Sequence, residues 1–170
     1  MTDSQAAEHP LVLSRVFNAP RELVFQAWTN PEHLKQWWGP KGFTLDVVQL
    51  DLRPGGMFLG SQRSPEGYVM WGKFVYQEIT PPEKLVFVQS FSDEAGNTIR
   101  APFSADWPLE ILNILTLTEQ DGQTLLTLQG GPINATEQER AAFEGMRPMV
   151  SQGFTGTFDQ LAEHLANQQQ

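Results

Sequence analysis

The sequence predicts an α+β fold: a curved antiparallel sheet of about six to seven strands wrapped around a long C-terminal helix, with two short helices after the first strand. Three observations carry this expectation. Between Thr136 and Ala166 the large apolar residues Phe143, Met146, Val150, Phe154, Phe158, Leu161 and Leu165 fall at steps of 3, 4, 4, 4, 3 and 4, the period of one helical face. Between Phe43 and Gly130 the period shortens to two and turn signals recur, as in consecutive antiparallel strands. A helix that long takes most of its stability from packing, and the sheet is the only large partner the chain offers. A twisted sheet of many strands curls, and its hollow side suits a long helix.

Taken in order, residues 1–9 are polar and aperiodic and read as a disordered tail. Residues 10–166 read as a single domain, followed by a frayed end at 167–170. Leu11 to Phe17 is rich in apolar and β-branched residues and reads as a first strand. Asn18-Ala-Pro-Arg-Glu22 starts a helix with Pro in its first turn. Leu23 and Trp28 on its apolar stripe are expected to pack on the sheet. Asn30-Pro31-Glu32 starts a second helix, with Asn as cap and Pro at the first helical position. It carries Leu34, Trp37 and Trp38 before Gly39-Pro40 stops it. Strands follow at Phe43 to Leu52, Met57 to Arg63, Tyr68 to Ile79 and Lys84 to Phe91. The turns between them are Arg53-Pro-Gly-Gly56, Ser64-Pro-Glu-Gly67 and Thr80-Pro-Pro-Glu83. Ser92 to Pro108 is one long irregular stretch, of a length that tends to be functional or lid-like. Leu109 to Thr118, a Gln120-Asp-Gly122 turn and Gln123 to Gln129 make a hairpin.

The last segment begins with a Thr-x-x-Glu capping box at Thr136 and Glu139. Pro148 interrupts it, and Gly145, Gly153 and Gly156 weaken it. The favoured expectation is two helices, one ending near Gly145 and one starting near Pro148. The alternative is a single helix kinked above a cavity entrance.

Composition narrows the function. The chain has 170 residues, no cysteine, a net charge of −9 and a pI near 4.7. Disulfides and cysteine chemistry are excluded. A general nucleic-acid or anionic-membrane surface needs a basic face that this balance does not supply. No run is long enough for a membrane span and the start lacks a signal-peptide pattern, so a cytoplasmic address is expected. A monomer or homodimer fits either way. Five Trp and eleven Phe supply large rigid apolar surfaces.

Catalytic patterns are thin. His9, His33 and His164 stand apart at no ligand spacing, so no metal is expected, and no cofactor motif is present. Gly55 and Gly56 read as turn glycines. Asp46 and Asp51 lie on opposite strand faces by parity. Asp106 and Glu110 flank Trp107-Pro108 and read as solvated surface. The catalytic residues are unknown at this level.

Five runs in this order resemble one family. They are Ala19-Pro-Arg-Glu-Leu-Val-Phe-Gln-Ala-Trp-Thr-Asn-Pro-Glu-His-Leu-Lys-Gln-Trp-Trp-Gly-Pro40, Asp51-Leu-Arg-Pro-Gly-Gly56, Pro81-Pro-Glu-Lys-Leu-Val-Phe87, Trp107-Pro-Leu-Glu110 and Gln152-Gly-Phe-Thr-Gly-Thr-Phe-Asp-Gln-Leu-Ala162. The chain is similar to the activator of heat-shock-protein ATPase homologue-like family of the START-like, SRPBCC superfamily. The resemblance implies the helix-grip fold, in which the sheet wraps the last helix around an apolar cavity. Superfamily members include lipid and hormone carriers, aromatic polyketide cyclases and a co-chaperone domain. Fold alone settles none of these.

The expected cavity lining combines inward strand positions with one helical face. Phe58, Met70, Phe74, Phe87 and Phe91 face inward from the strands. Phe143, Met146, Val150 and Phe154 oppose them from the helix. Adjacent Trp37 and Trp38 cannot point the same way, so one plugs the core and Trp38 stands at the rim. Phe103 and Trp107 lie in the lid-like stretch. The first function expected is an intracellular binding protein for an apolar or aromatic small molecule or lipid. A cyclase or hydrolyase would need a titratable group in the pocket, with Tyr76 the first candidate. A stress-linked co-chaperone-like interaction module would need an exposed apolar patch.

Overall fold

The structure is a computed structural model that describes residues 9–169. The tail expected over residues 1–9 therefore lies outside the described residues except for His9, as does Gln170 at the other end. Ten elements follow one another: β1 (Leu11–Phe17), α1 (Arg21–Thr29), α2 (Pro31–Trp37), β2 (Thr44–Leu50), β3 (Met57–Arg63), β4 (Val69–Thr80), β5 (Lys84–Ser92), β6 (Ile111–Gln120), β7 (Gln123–Pro132) and α3 (Glu137–Gln168). All seven strands form one antiparallel sheet in the order β1-β7-β6-β5-β4-β3-β2. Six strands are neighbours in sequence, and β1 closes on β7. The arrangement is the helix-grip fold.

Two bulges keep the apolar residues on the inner face. In β2 the register shifts between Val47 and Gln49, so Leu45 and Leu50 both pack on the core while Val48 is exposed. In β4 the shift between Tyr76 and Glu78 puts Tyr76 and Ile79 on the same side. An extra residue in one strand resets an alternation that a strict period of two would break.

The main core gathers Phe17, Trp28, Leu34, Trp37, Phe74, Phe87, Leu115 and Leu126 under the C-terminal half of α3, where Phe158, Leu161 and Leu165 are buried. Trp28 is fully buried and Leu23 packs beside it, as the stripe on α1 predicts. Trp37 plugs the core, its indole N–H donating to the Ala27 carbonyl at 2.9 Å. A second cluster forms around Ala101, Trp107 and Phe143, with Phe91, Ile111, Met146 and Val150 packed against it. The long stretch between β5 and β6 thus folds back over the sheet onto the N-terminal half of α3.

The expected split of the last segment is not observed. α3 runs unbroken through Pro148 from its capping box to Gln168, into the end expected to fray. The reason lies in which face carries the proline. Pro148 and Glu144, whose carbonyl the missing N–H frees, are both exposed, a position at which solvent can take over the lost hydrogen bond. Arg147 next to it donates to the His9 and Pro10 carbonyls at 2.8 and 3.3 Å, tying the helix to the start of β1. Gln160 and Thr157 bind the Gly39 carbonyl, which anchors the segment after α2.

The histidines also differ from their separate placement in sequence. His33 Nδ1 and His164 Nε2 lie 2.9 Å apart and join α2 to α3. Burial, and then the nearby His33, hold His164 below the ordinary imidazole range. Among the described residues no group of three or more His, Cys, Asp or Glu is placed to hold a metal, and no helix is long and apolar enough to cross a membrane.

Candidate functional site: a cavity between sheet and helix

Sheet and helix do not meet everywhere. A cavity of about 370 Å³ separates the middle of α3 from the strands, within the size range of small-molecule sites. Its walls come from both apolar clusters. One aromatic group runs from Phe58 to Phe74, with ring centroids 4.7 Å apart, then to Trp38 at 5.3 Å and Phe154 at 6.2 Å. The other runs from Phe91 to Phe103, Trp107 and Phe143, each step 5.6 Å.

Glycines on the inner face keep the space open. Gly60 and Gly72 pair directly across β3 and β4, and both line the cavity. A Cβ at Gly72 would meet nothing nearer than the Ser90 carbonyl at 3.7 Å. From the other wall, a Cβ at Gly153 of α3 would meet nothing within 4 Å. Gly72 on the sheet and Gly153, exposed at the helical rim, thus leave room beside the aromatic rings, whereas a Cβ at Gly60 would crowd the Asp46 carbonyl at 3.0 Å.

Of the lining residues expected from sequence, the structure brings Trp38, Phe58, Met70, Phe74, Phe91, Phe103, Trp107, Phe143, Val150 and Phe154 to the cavity wall. Phe87, Met146 and Tyr76 are not on it. Phe87 has the right parity but lies deeper in the sheet, 1 % exposed and stacked against Phe74 at 4.3 Å. Met146 packs against the second cluster instead of facing the space. Tyr76 pairs with Phe87 in the core, and its hydroxyl is buried with no partner among the described residues. Burial pushes that phenol well above its ordinary value, which makes it a poor proton donor at neutral pH.

The wall carries little acid–base chemistry. Among the described residues, no His, Asp, Glu or Tyr lines it. Lys73 borders it from β4 but alternates with the inward Gly72 and Phe74, and its amine donates to the Gly96 carbonyl at 2.9 Å on the other face of the sheet. Asp106 is exposed, and Glu110 accepts from Asn134 outside the cavity. Sequence reasoning passed over three amides that do line it, Gln62 and the bonded pair Gln89 and Asn113. The pair carried a legible signal. Asn113 interrupts the apolar run from Ile111 to Leu115, and Gln89 shares its strand face with Phe87 and Phe91.

One ion pair holds the overlying segment to α3. Arg100 Nη1 binds Glu139 Oε2 and also donates to the Trp107 carbonyl. Glu139 meanwhile completes the capping box with Thr136. The Arg100 hydrogen bond, followed by the Thr136 backbone, holds the Glu139 carboxyl below its ordinary value of 4.5. A carboxylate favoured by the folded state stabilises it above its unfolded pKa, and that contribution fades as pH falls through the folded value. We expect the melting temperature of the wild type to fall more steeply than that of Glu139→Gln below about pH 4.5. Thermal melts across pH 3 to 7 check this, with 3 and 7 chosen to be roughly a unit or more either side of the usual carboxylate range; parallel curves would refute it.

Comparison with known proteins places these features. The family model described as Activator of Hsp90 ATPase homolog 1-like protein matches residues 18–166. No curated protein matches the chain significantly. Among solved structures, protein Ms6760 from Mycobacterium smegmatis is 27% identical, with a TM-score of 0.74 over 94% of this chain and 95% of that one. Protein NE0264 from Nitrosomonas europaea is 26% identical, with a TM-score of 0.73 over 94% and 95%. An AHSA1 protein from Silicibacter pomeroyi shares the fold at 22% identity, with a TM-score of 0.71 over 94% and 99%.

Proposed function

The chain belongs to the Activator of Hsp90 ATPase homolog 1-like protein family, and from that premise we propose that it is a binding protein for an apolar or aromatic small molecule. The observation that carries this reading is the open space itself: about 370 Å³ between sheet and α3, bordered by two groups of aromatic rings. A largely apolar volume of this size gains dispersion contacts from a molecule that fills it. Burying an apolar molecule there adds favourable transfer free energy of about 25 cal/mol for each Å² removed from water.

The cyclase or hydrolyase reading finds less support, because its candidate Tyr76 is away from the wall. The family name supports a second reading, a co-chaperone-like interaction module. Phe103 and Met149, 54 % and 63 % exposed, are apolar side chains that such a partner could cover. Two measurements separate the readings. A ligand that binds only the native state raises the melting temperature, so a panel of neutral aromatic compounds is expected to include members that do so. Stimulation of Hsp90 ATP turnover by the protein, with no thermal shift from any compound, would overturn the small-molecule reading.

A further inference from the structure

The cavity wall is mostly apolar, and its inward polar side chains on the sheet are Gln62 of β3 and a directly bonded pair, Gln89 of β5 and Asn113 of β6. Asn113 is 3 % exposed and sits on β6 between Leu115 of the main core and Ile111 of the second cluster. Its Nδ2 donates to Gln89 Oε1 at 3.2 Å and to the Ile111 carbonyl at 3.4 Å. That leaves Asn113 Oδ1, an acceptor, and Gln89 Nε2, a donor, without a hydrogen bond from the described residues. Neither atom is sealed off, since both residues line the cavity. The sheet accommodates the arrangement. Gly130 pairs with Asn113, and a Cβ there would stand 2.9 Å from Asn113 Oδ1. A nearly buried amide is tolerated in such a place when its remaining hydrogen bonds are completed.

We propose that Gln89 and Asn113 form a polar anchor that selects neutral aromatic ligands bearing a carbonyl or hydroxyl group. Gln89 Nε2 donates to the ligand oxygen, and Asn113 Oδ1 accepts from a ligand O–H. The anchor is neutral, and Lys73, the one cation among the described lining residues, alternates with the inward Gly72 and Phe74 and directs its amine to the Gly96 carbonyl on the other face of the sheet. An ionised carboxylate would therefore lose its hydration without gaining a countercharge, which places fatty acids and other anions among the poor ligands. This inference rests on the small-molecule reading above and narrows it.

The test uses four probes of one shape: fluorene, 9-fluorenone, 9-fluorenol and fluorene-9-carboxylate. Affinities are measured calorimetrically on the full chain, the wild type against Gln89→Leu and Asn113→Leu. In the wild type, fluorenone and fluorenol are expected to bind about tenfold tighter than fluorene, the effect of one or two well-placed neutral hydrogen bonds. The carboxylate is expected to bind most weakly. In Gln89→Leu the preference for fluorenone over fluorene falls towards unity, while fluorene binds as well or better. Gln89 is only half-buried, so this variant carries the test if Asn113→Leu does not fold. Equal affinity for fluorene and fluorenone in the wild type, a preference that survives Gln89→Leu, or tightest binding by the carboxylate overturns the anchor and leaves the cavity reading standing. Failure of all four probes to bind overturns both.

Discussion

Gly72→Ile is expected to weaken the binding of every neutral aromatic probe by about 10–100-fold while the protein remains folded. The argument is steric. Gly72 lies on the inner face of β4 opposite Gly60, and a Cβ there would make only an ordinary contact, with the Ser90 carbonyl at 3.7 Å. An isoleucine there directs four carbons into the volume a ligand needs. Overpacking typically costs about 1–3 kcal/mol, and here that cost falls on the complex alone. The free protein is spared, because the cavity accepts the side chain and a β-branched residue suits a strand better than glycine does. A second block from the opposite wall, Gly153→Leu, is expected to act in the same direction, since a Cβ at Gly153 is also unopposed. Calorimetric titration of both variants, alongside thermal melts, checks the result. Unchanged affinity in folded variants would place the ligand elsewhere.

Trp28→Ala is expected to destabilise the fold by about 3–5 kcal/mol, the range for removing a fully buried aromatic side chain. The Trp28 ring lies 4.9 Å from Trp37, 5.7 Å from Trp38 and 6.4 Å from Phe87, centroid to centroid. It fixes both short helices to the sheet and also backs Trp38, which lines the cavity. Its indole N–H is buried with no partner among the described residues. Trp28→Phe removes that donor along with part of the ring, so it should cost clearly less than the alanine variant. Urea denaturation gives both values. A loss below about 1 kcal/mol for Trp28→Ala would contradict the packing described, since ordinary surface changes are that small.

Much of the fold is legible because its signals are local. The step of three and four across residues 143–165 marks one face of α3, and alternation marks the inner face of each strand. The capping box at Thr136 and the Asn30-Pro31 start both form where expected. Other features depend on context beyond the local pattern. Pro148 would interrupt an isolated helix, whereas its exposed position on a docked one leaves the missing hydrogen bond to water. Phe87 and Phe91 have the same parity, yet one is buried core and the other lines the cavity.

Periodicity by itself determined the inward face of the last segment and, away from the two bulges, of the strands, and that a helical layer lies on a concave sheet; that this layer is one unbroken helix was decided by its docking. Periodicity could not determine depth. Whether an inward side chain packs solidly or borders a void depends on where α3 crosses the strands and which positions opposite it are glycine. The pairs that complete the site join distant parts of the chain: Gln89 with Asn113, Arg100 with Glu139, His33 with His164. Alternation reports the orientation of a residue relative to its neighbours in the chain. These meetings follow from register between strands and from helix docking, which exist only once the whole chain has closed on itself.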